Sequence, residues 1–247
     1  MSQKAHQTMG PEPAIDIAGL CMAYETRLVL NRINLQIPAA EALCLCGANG
    51  AGKSTLLRII AGLLHPTEGQ VQIKGFDIRK DPQAAKPLIG VISHKSMLYP
   101  DLTVAENLIF AARLYGVKKL SQRVEQLLED VKLAGYRFDK TSILSRGMLQ
   151  RLAISRALVH QPRILLADEP FTGLDLPSCR HLVDVLHQFR DEGGTIIMTT
   201  HEINFGLNCC NRVVVLDEAK IIFDAPTDQI DRARFVDDYL SYARKNS

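Results

Sequence analysis

The nine residues "GANGAGKST" at 47–55 place three glycines, a lysine and two hydroxyls at the spacing of a phosphate-cradling loop. Gly47, Gly50 and Gly52 let main-chain N–H groups close around phosphate oxygens, Lys53 can reach the β/γ oxygens, and Ser54 can bind Mg²⁺. Ala48, Asn49, Ala51 and Thr55 complete the stretch and are expected to share the contact. A carboxylate for the metal stands in "ILLADEP", where Asp168 ends an apolar run and the adjacent Glu169 is placed to polarise an attacking water. In "TIIMTTHEIN", His201 ends a second apolar run and reads as a γ-phosphate sensor that keeps the water and Glu169 in line. Together these groups suit hydrolysis of a nucleoside triphosphate, with a general base contributing about 10²- to 10⁴-fold in rate.

A second anion-binding feature stands well downstream. "SRGMLQRLAISRAL" at 145–158 opens with the N-cap residue Ser145, keeps the backbone accessible at Gly147, and continues with an apolar stripe at helical spacing. The N–H groups of its first turn and the positive end of the helix dipole would face outward, ready for a phosphate.

Parallel strands are what can bring these groups together. "ALCLC", "RILLAD" and "TIIMTT" are short apolar runs alternating with helical segments, including one from Pro177 to about Asp191. Strands apolar on both faces imply a parallel sheet covered on both sides, with Asp168 and His201 delivered to the crevice at its C-terminal edge. Upstream, "LVLNRINLQI" and "TEGQVQIKGFDI" read as further strands. Between about 94 and 144 the pattern turns helical. "TVAENLIFAARLYG" carries a capping box at Thr103 and Glu106 and stops at Gly116, and a second helix is expected over about 121–134.

Composition excludes several function classes. The 247 residues are 47% hydrophobic and 23% charged, with a net charge of +2 and scattered basic residues, which argues against a nucleic-acid partner. No stretch approaches the roughly 18 apolar residues of a membrane span, and "MSQKAHQTMG" lacks the apolar centre of a secretory signal, so the chain is expected to be soluble by itself. The six cysteines lack metal-ligand spacing. Cys44 and Cys46 read as buried thiols, and a disulfide between the adjacent Cys209 and Cys210 would be strained, which fits a reducing compartment.

The ordered set "GANGAGKST", "LSRGMLQR", "LLADEP", "TGLD" and "TTHE" resembles the nucleotide-binding subunit of an ABC transporter. The resemblance implies an α/β fold: a P-loop NTPase core with a parallel sheet, an N-terminal antiparallel β subdomain and an inserted α-helical subdomain at about 94–160. The ATPase domain would span 14–230, between a polar N-terminal tail at 1–13 and a C-terminal helical tail at 231–247. It also implies ATP and Mg²⁺ as cofactors and a head-to-tail homodimer with two ATP molecules between phosphate loop and signature helix. Ser145 and Gly147 would bind the γ-phosphate of ATP held by the other subunit, and Asp175 in "TGLD" would reach across the same interface. Tyr24 would stack on adenine, although on residue grounds alone it reads equally as core.

A membrane-spanning permease is the implied partner, with docking expected around Tyr99, Pro100 and the helix from Thr103, and the implied location is the cytoplasmic face of the inner membrane. Two motifs depart from the family pattern. The usual Leu-Ser-Gly-Gly-Gln carries Arg146 and Met148 here, and the glutamine that usually contacts Mg²⁺ and water is replaced by His94. A histidine there resembles the heme-exporter branch linked to cytochrome c maturation; drug and lipid exporters stay open. The competing class is a soluble ATPase of the same family without a transport role. Ribosome-acting members usually carry two such domains and DNA-repair members insert a long coiled coil, and this chain has one domain and no such insertion.

Overall fold

Alternating and fully apolar strands sort into two sheets of different kinds. The computed structural model describes residues 12–93 and 96–245; His94 and residues 1–11 of the expected N-terminal tail lie outside the described residues. In chain order the strands and helices are β1 (Ile15–Tyr24), β2 (Arg27–Ile37), β3 (Ala42–Cys46), α1 (Lys53–Ile60), β4 (Glu68–Ile73), β5 (Phe76–Asp77), α2 (Pro82–Ala85), β6 (Ile89–Ile92), α3 (Val104–Leu114), α4 (Leu120–Asp130), α5 (Arg146–Leu158), β7 (Ile164–Asp168), α6 (Leu176–Asp191), β8 (Thr195–Thr199), α7 (Ile203–Cys209), β9 (Arg212–Asp217), β10 (Lys220–Pro226) and α8 (Arg232–Lys245).

Strands β1, β2, β4 and β5 form an antiparallel sheet in the order β2-β1-β4-β5. The second sheet runs β10-β9-β3-β8-β7-β6, parallel from β9 to β6, with β10 added antiparallel at one edge. Every residue of β3 and β8 is buried, as a parallel sheet covered on both faces requires. On one face, α1 and the antiparallel sheet supply Ile15, Ile37, Leu56 and Ile60 to a core shared with Leu45 and Ile197. On the other face, α6, α7 and α8 pack Leu182, Leu207 and Tyr239 against Cys44, Cys46 and Met198. A third core, with Val104, Leu108, Val124, Leu128 and Leu152, joins the inserted helices α3 and α4 to α5. This is the expected α/β phosphate-loop fold with its antiparallel β subdomain and helical insertion.

Helix α3 has both ends of its capping box: Glu106 N–H donates to Thr103 Oγ1 at 3.2 Å and Thr103 N–H to Glu106 Oε2 at 2.8 Å. It ends in a Schellman turn, with Gly116 at φ 64° and Val117 N–H donating to Ala112 carbonyl at 3.0 Å. Helix α4 is shorter than the expected 121–134. It ends by the same device without a glycine, since Lys132 takes φ 58° while Leu133 N–H donates to Leu128 carbonyl at 2.8 Å. The C-terminal segment expected as a tail packs as α8 on the sheet, because Phe235 and Tyr239 recur one helical turn apart and face the second core. No helix among the described residues is long and apolar enough to cross a membrane.

Candidate ATP-binding and hydrolysis site

Strand β3 ends at Cys46 and α1 begins at Lys53, so residues 47–52 make the turn between them. Gly47 and Gly52 sit at φ 148° and 104°, and neither tolerates a side chain: a Cβ at 47 would strike the Leu216 carbonyl, and one at 52 would stand 2.6 Å from the Val29 carbonyl. The loop therefore lies tight against its own scaffold, with the N-terminus of α1 at its mouth. Lys53 is 7% exposed and folds back onto the loop, donating to the Gly47 carbonyl at 2.8 Å and to the Ala48 carbonyl at 3.0 Å. Burial pulls its ammonium below the usual lysine range, and the Glu169 and Asp168 carboxylates oppose that shift. Ala48, Ser54 and Thr55 are half-buried, Ala51 is buried and Asn49 exposed, so the loop offers a wet face beside a dry one.

The parallel register places the two candidate carboxylates. Asp168 at the end of β7 pairs with Thr199 at the end of β8, which in turn lies beside Leu45 on β3. Asp168 Oδ1 accepts from Thr199 Oγ1 at 2.7 Å and from Ser54 Oγ at 3.0 Å, tying both neighbouring elements to one oxygen. Glu169 follows with φ 54°, a conformation that non-glycine residues rarely hold. Two bonds enforce it, from Glu169 N–H to Thr199 Oγ1 at 3.0 Å and to Thr199 O at 3.1 Å. The turn aims the Glu169 carboxylate at His201, whose Nε2 lies 3.0 Å from Oε1 and whose main-chain N–H donates to Oε2 at 3.2 Å. Thr172 Oγ1 also approaches Oε2, at 3.5 Å.

Only oxygen donors, hydroxyl and carboxylate, meet at Ser54 and Asp168, a set that suits Mg²⁺ and not a thiophilic metal. Those two side chains already touch, so one cation can be held by both, directly or through its water. An ion held by Ser54 and Asp168 would supply positive charge to offset the negative charge of the phosphates.

The residues expected to form the second anion surface lie at two neighbouring helix N-termini. Ser145 caps α5, its Oγ accepting from Met148 N–H at 3.3 Å, and Asp175 caps α6, accepting from Ser178 N–H at 2.9 Å. Those Ser178 bonds hold the Asp175 carboxyl below the usual range. The two first turns lie so close that a Cβ on Gly147 would stand 2.7 Å from Ser178 Oγ. Both caps open onto one cavity of about 620 Å³ that also presents Lys132, Arg146 and Arg151. The Arg146 guanidinium covers Gly173 and donates to the Thr172 carbonyl at 3.3 Å.

The structure thus groups Lys53, Ser54, Asp168, Glu169 and His201, and separately groups Ser145, Gly147 and Asp175. Tyr24 is in neither hydrogen-bond network: it ends β1 opposite Arg27 and is 44% exposed. Thr199 is the residue that motif reading missed. It is fully buried yet polar, and a threonine following the apolar run Ile196–Met198 was its only signal. All six cysteines are free, five of them buried.

A tight glycine loop between a parallel strand and its helix, with an Asp-Glu pair closing a neighbouring strand, defines a phosphate-loop nucleotide-binding protein. The family described as ABC transporter matches residues 30–172. The chain is 34% identical over 202 residues to the linearmycin resistance ATP-binding protein LnrL of Bacillus subtilis (strain 168), covering 81% of this chain but only 65% of LnrL. It is 36% identical over 222 residues to the Nod factor export ATP-binding protein I of Rhizobium etli, covering 88% of this chain and 70% of that protein. Among solved structures, the dimeric post-hydrolysis state of the ATP-binding cassette MJ0796 bound to ADP and Pi superposes with a TM-score of 0.78 at 27% identity, covering 86% of this chain and 98% of that one. The chain belongs to the ABC transporter family and carries its ATP-binding, ATPase domain.

Proposed function

We propose that this chain is the ATP-hydrolysing subunit of an exporter, acting as a head-to-tail dimer that drives a separate membrane-spanning permease. The observation that carries the reading is the division of the phosphate chemistry into two surfaces. The cavity at Ser145 and Asp175 shares no lining residue with the cavity of about 430 Å³ beside the phosphate loop, which supports reading them as separate half-sites. Two copies facing each other complete both halves. Lys53 and the loop amides hold the phosphates, Ser54 and Asp168 hold Mg²⁺, and Glu169 takes the proton of the attacking water while His201 fixes its carboxylate. Ser145 and Gly147 of the facing copy meet the γ-phosphate, and its Asp175 spans the interface.

Export is favoured because relatives in two lineages are named for export or for resistance. The heme-exporter reading rests on His94 alone, and neither of these relatives supports it. For the permease, the supporting surface is Tyr99, 51% exposed and held by Asn107 through both its main-chain N–H and its carbonyl, with Met97 and Leu63 also exposed nearby in sequence or across the apolar cleft they line. Such a subunit would sit peripherally on the cytoplasmic face of the membrane, with Tyr24 on the adenine and His94 at the metal or the water.

Glu169→Gln tests the core of this reading. It keeps every phosphate contact and removes the base, so turnover should fall about 10²-fold or more while an ATP-bound dimer accumulates on size-exclusion chromatography. A variant that stays monomeric with ATP would refute the sandwich, and one that dimerises but copurifies with no membrane protein would point to the non-transport ATPase.

A further inference from the structure

Helix α5 grips the turn that follows Glu169 in its own chain. Two of its side chains, about one helical turn apart, donate to main-chain carbonyls of that turn: Arg146 Nη2 to Thr172 at 3.3 Å and Gln150 Nε2 to Pro170 at 3.1 Å. The Arg146 guanidinium also lies over Gly173, at φ 71°, in the space that a Cβ there would need. From its other side the turn is tied to Glu169, whose carbonyl accepts from Thr172 N–H at 3.2 Å and whose Oε2 stands 3.5 Å from Thr172 Oγ1. Thr172 thus meets the arginine with its carbonyl and the glutamate with its N–H and hydroxyl.

Packing alone does not fix this turn. Phe171 is buried, but Thr172 and Gly173 are exposed, so hydrogen bonds must hold the outer half. Glu169 is itself strained at φ 54°, and a small shift of its neighbours is enough to misaim its carboxylate. We propose that Arg146 is a positioning residue for Glu169 of the same protomer, clamping the turn so that the Thr172 hydroxyl keeps the carboxylate directed at His201. The inference rests on the reading of Glu169 as the base. It gives Arg146 a task inside its own chain, separate from any contact of α5 with a phosphate held by a facing copy. A glycine at position 146, as in the usual signature, has no side chain with which to do this.

The test is Arg146→Ala in the full chain, read by steady-state turnover and calorimetric ATP titration. kcat should fall about tenfold, since small misplacement of a catalytic group is costly, while the Kd for ATP stays within about threefold because the phosphate loop is untouched. A double-mutant cycle with Thr172→Val tests the route: once the Thr172 hydroxyl is gone, removing Arg146 should cost less than about twofold more. Wild-type kcat in Arg146→Ala overturns the inference, and so do fully additive losses in the cycle. In a Glu169→Gln background, Arg146→Ala should leave the ATP-bound dimer intact; loss of that dimer would assign the arginine to the facing copy's phosphate and overturn the inference. If Glu169→Gln stays monomeric with ATP, the cycle with Thr172→Val decides alone. Wild-type turnover in Glu169→Gln refutes the reading of the base and this inference with it, whereas lost turnover there beside wild-type turnover in Arg146→Ala refutes the role of Arg146 only.

Discussion

Removing the Thr199 hydroxyl should damage both the fold and the chemistry, and Thr199→Val does so with almost no change of shape. Thr199 is 0% exposed, and its Oγ1 donates to Asp168 Oδ1 at 2.7 Å while accepting from Glu169 N–H at 3.0 Å. Asp168 keeps its longer bond from Ser54 at 3.0 Å, and Glu169 N–H keeps the Thr199 carbonyl at 3.1 Å, so the main loss is one charge-assisted bond. Such a bond contributes about 1.5–3 kcal/mol. Taking about 2 kcal/mol, and about 2–4 °C per kcal/mol for a domain of this size, Tm should fall by about 4–8 °C. Catalysis should suffer more than binding. Glu169 at φ 54° loses one of the two bonds that hold it there, and small misplacement of a catalytic group can cost about 10²-fold. We expect kcat to fall about 10- to 100-fold with ATP affinity within about threefold, since Lys53 and the glycine loop are untouched. Thermal melts, ATP titration and steady-state turnover measure the three quantities, and Thr199→Ser should restore kcat. Wild-type kcat in Thr199→Val, even with lowered stability, would show that the hydroxyl does not aim Glu169.

Buried thiols predict a simple chemical result: at pH 8 a disulfide-exchange reagent should titrate Cys21 alone in the folded protein and all six cysteines after denaturation, because the other five are buried and burial pushes Cys209 up to about 11. Fast reaction of two or more thiols in the native state would contradict the packing. An imidazole titrates near neutrality where an amide does not, so His94→Gln should flatten one limb of the pH–rate profile while activity persists at pH 7, and an unchanged profile would remove His94 from the chemistry. Gly147→Asp should retain ATP binding and lose hydrolysis, and mixing it with Lys53→Ala should recover activity if one intact composite site turns over. No recovery, in a dimer shown to be active with a single site, would mean that each protomer uses its own signature helix.

What could be read from residues and what could not is clearest at two helix ends. Helices α3 and α4 stop by the same Schellman turn, but Gly116 announces the first and Lys132, at φ 58°, hides the second. A glycine is a local signal. A lysine forced into the left-handed region is a tertiary outcome, fixed here by the burial of Leu128 and Leu133 in one core. The same division runs through the site. Lys53, Ser54, Asp168 and Glu169 carry their chemistry in residue type and spacing, so they were legible. Tyr239 was not, because its contact with Gly47 joins residues 192 positions apart and depends on α8 crossing under the loop.

Glu169 shows why the illegible part matters to function. Its side chain could have been found from "LLADEP", but its direction could not, since a positive φ at a glutamate is unfavourable unless its surroundings over-determine it. Thr199 supplies that constraint from the neighbouring strand, and the parallel pairing of Asp168 with Thr199 is what puts the hydroxyl there. The backbone reversal then turns the carboxylate away from the sheet and into the reach of His201 at 3.0 Å. Asp168, one residue earlier in regular strand geometry, points to Ser54 instead. Two adjacent carboxylates are sent to different partners, one to the hydroxyls of Ser54 and Thr199 and one to His201, by a single strained residue and the threonine that holds it.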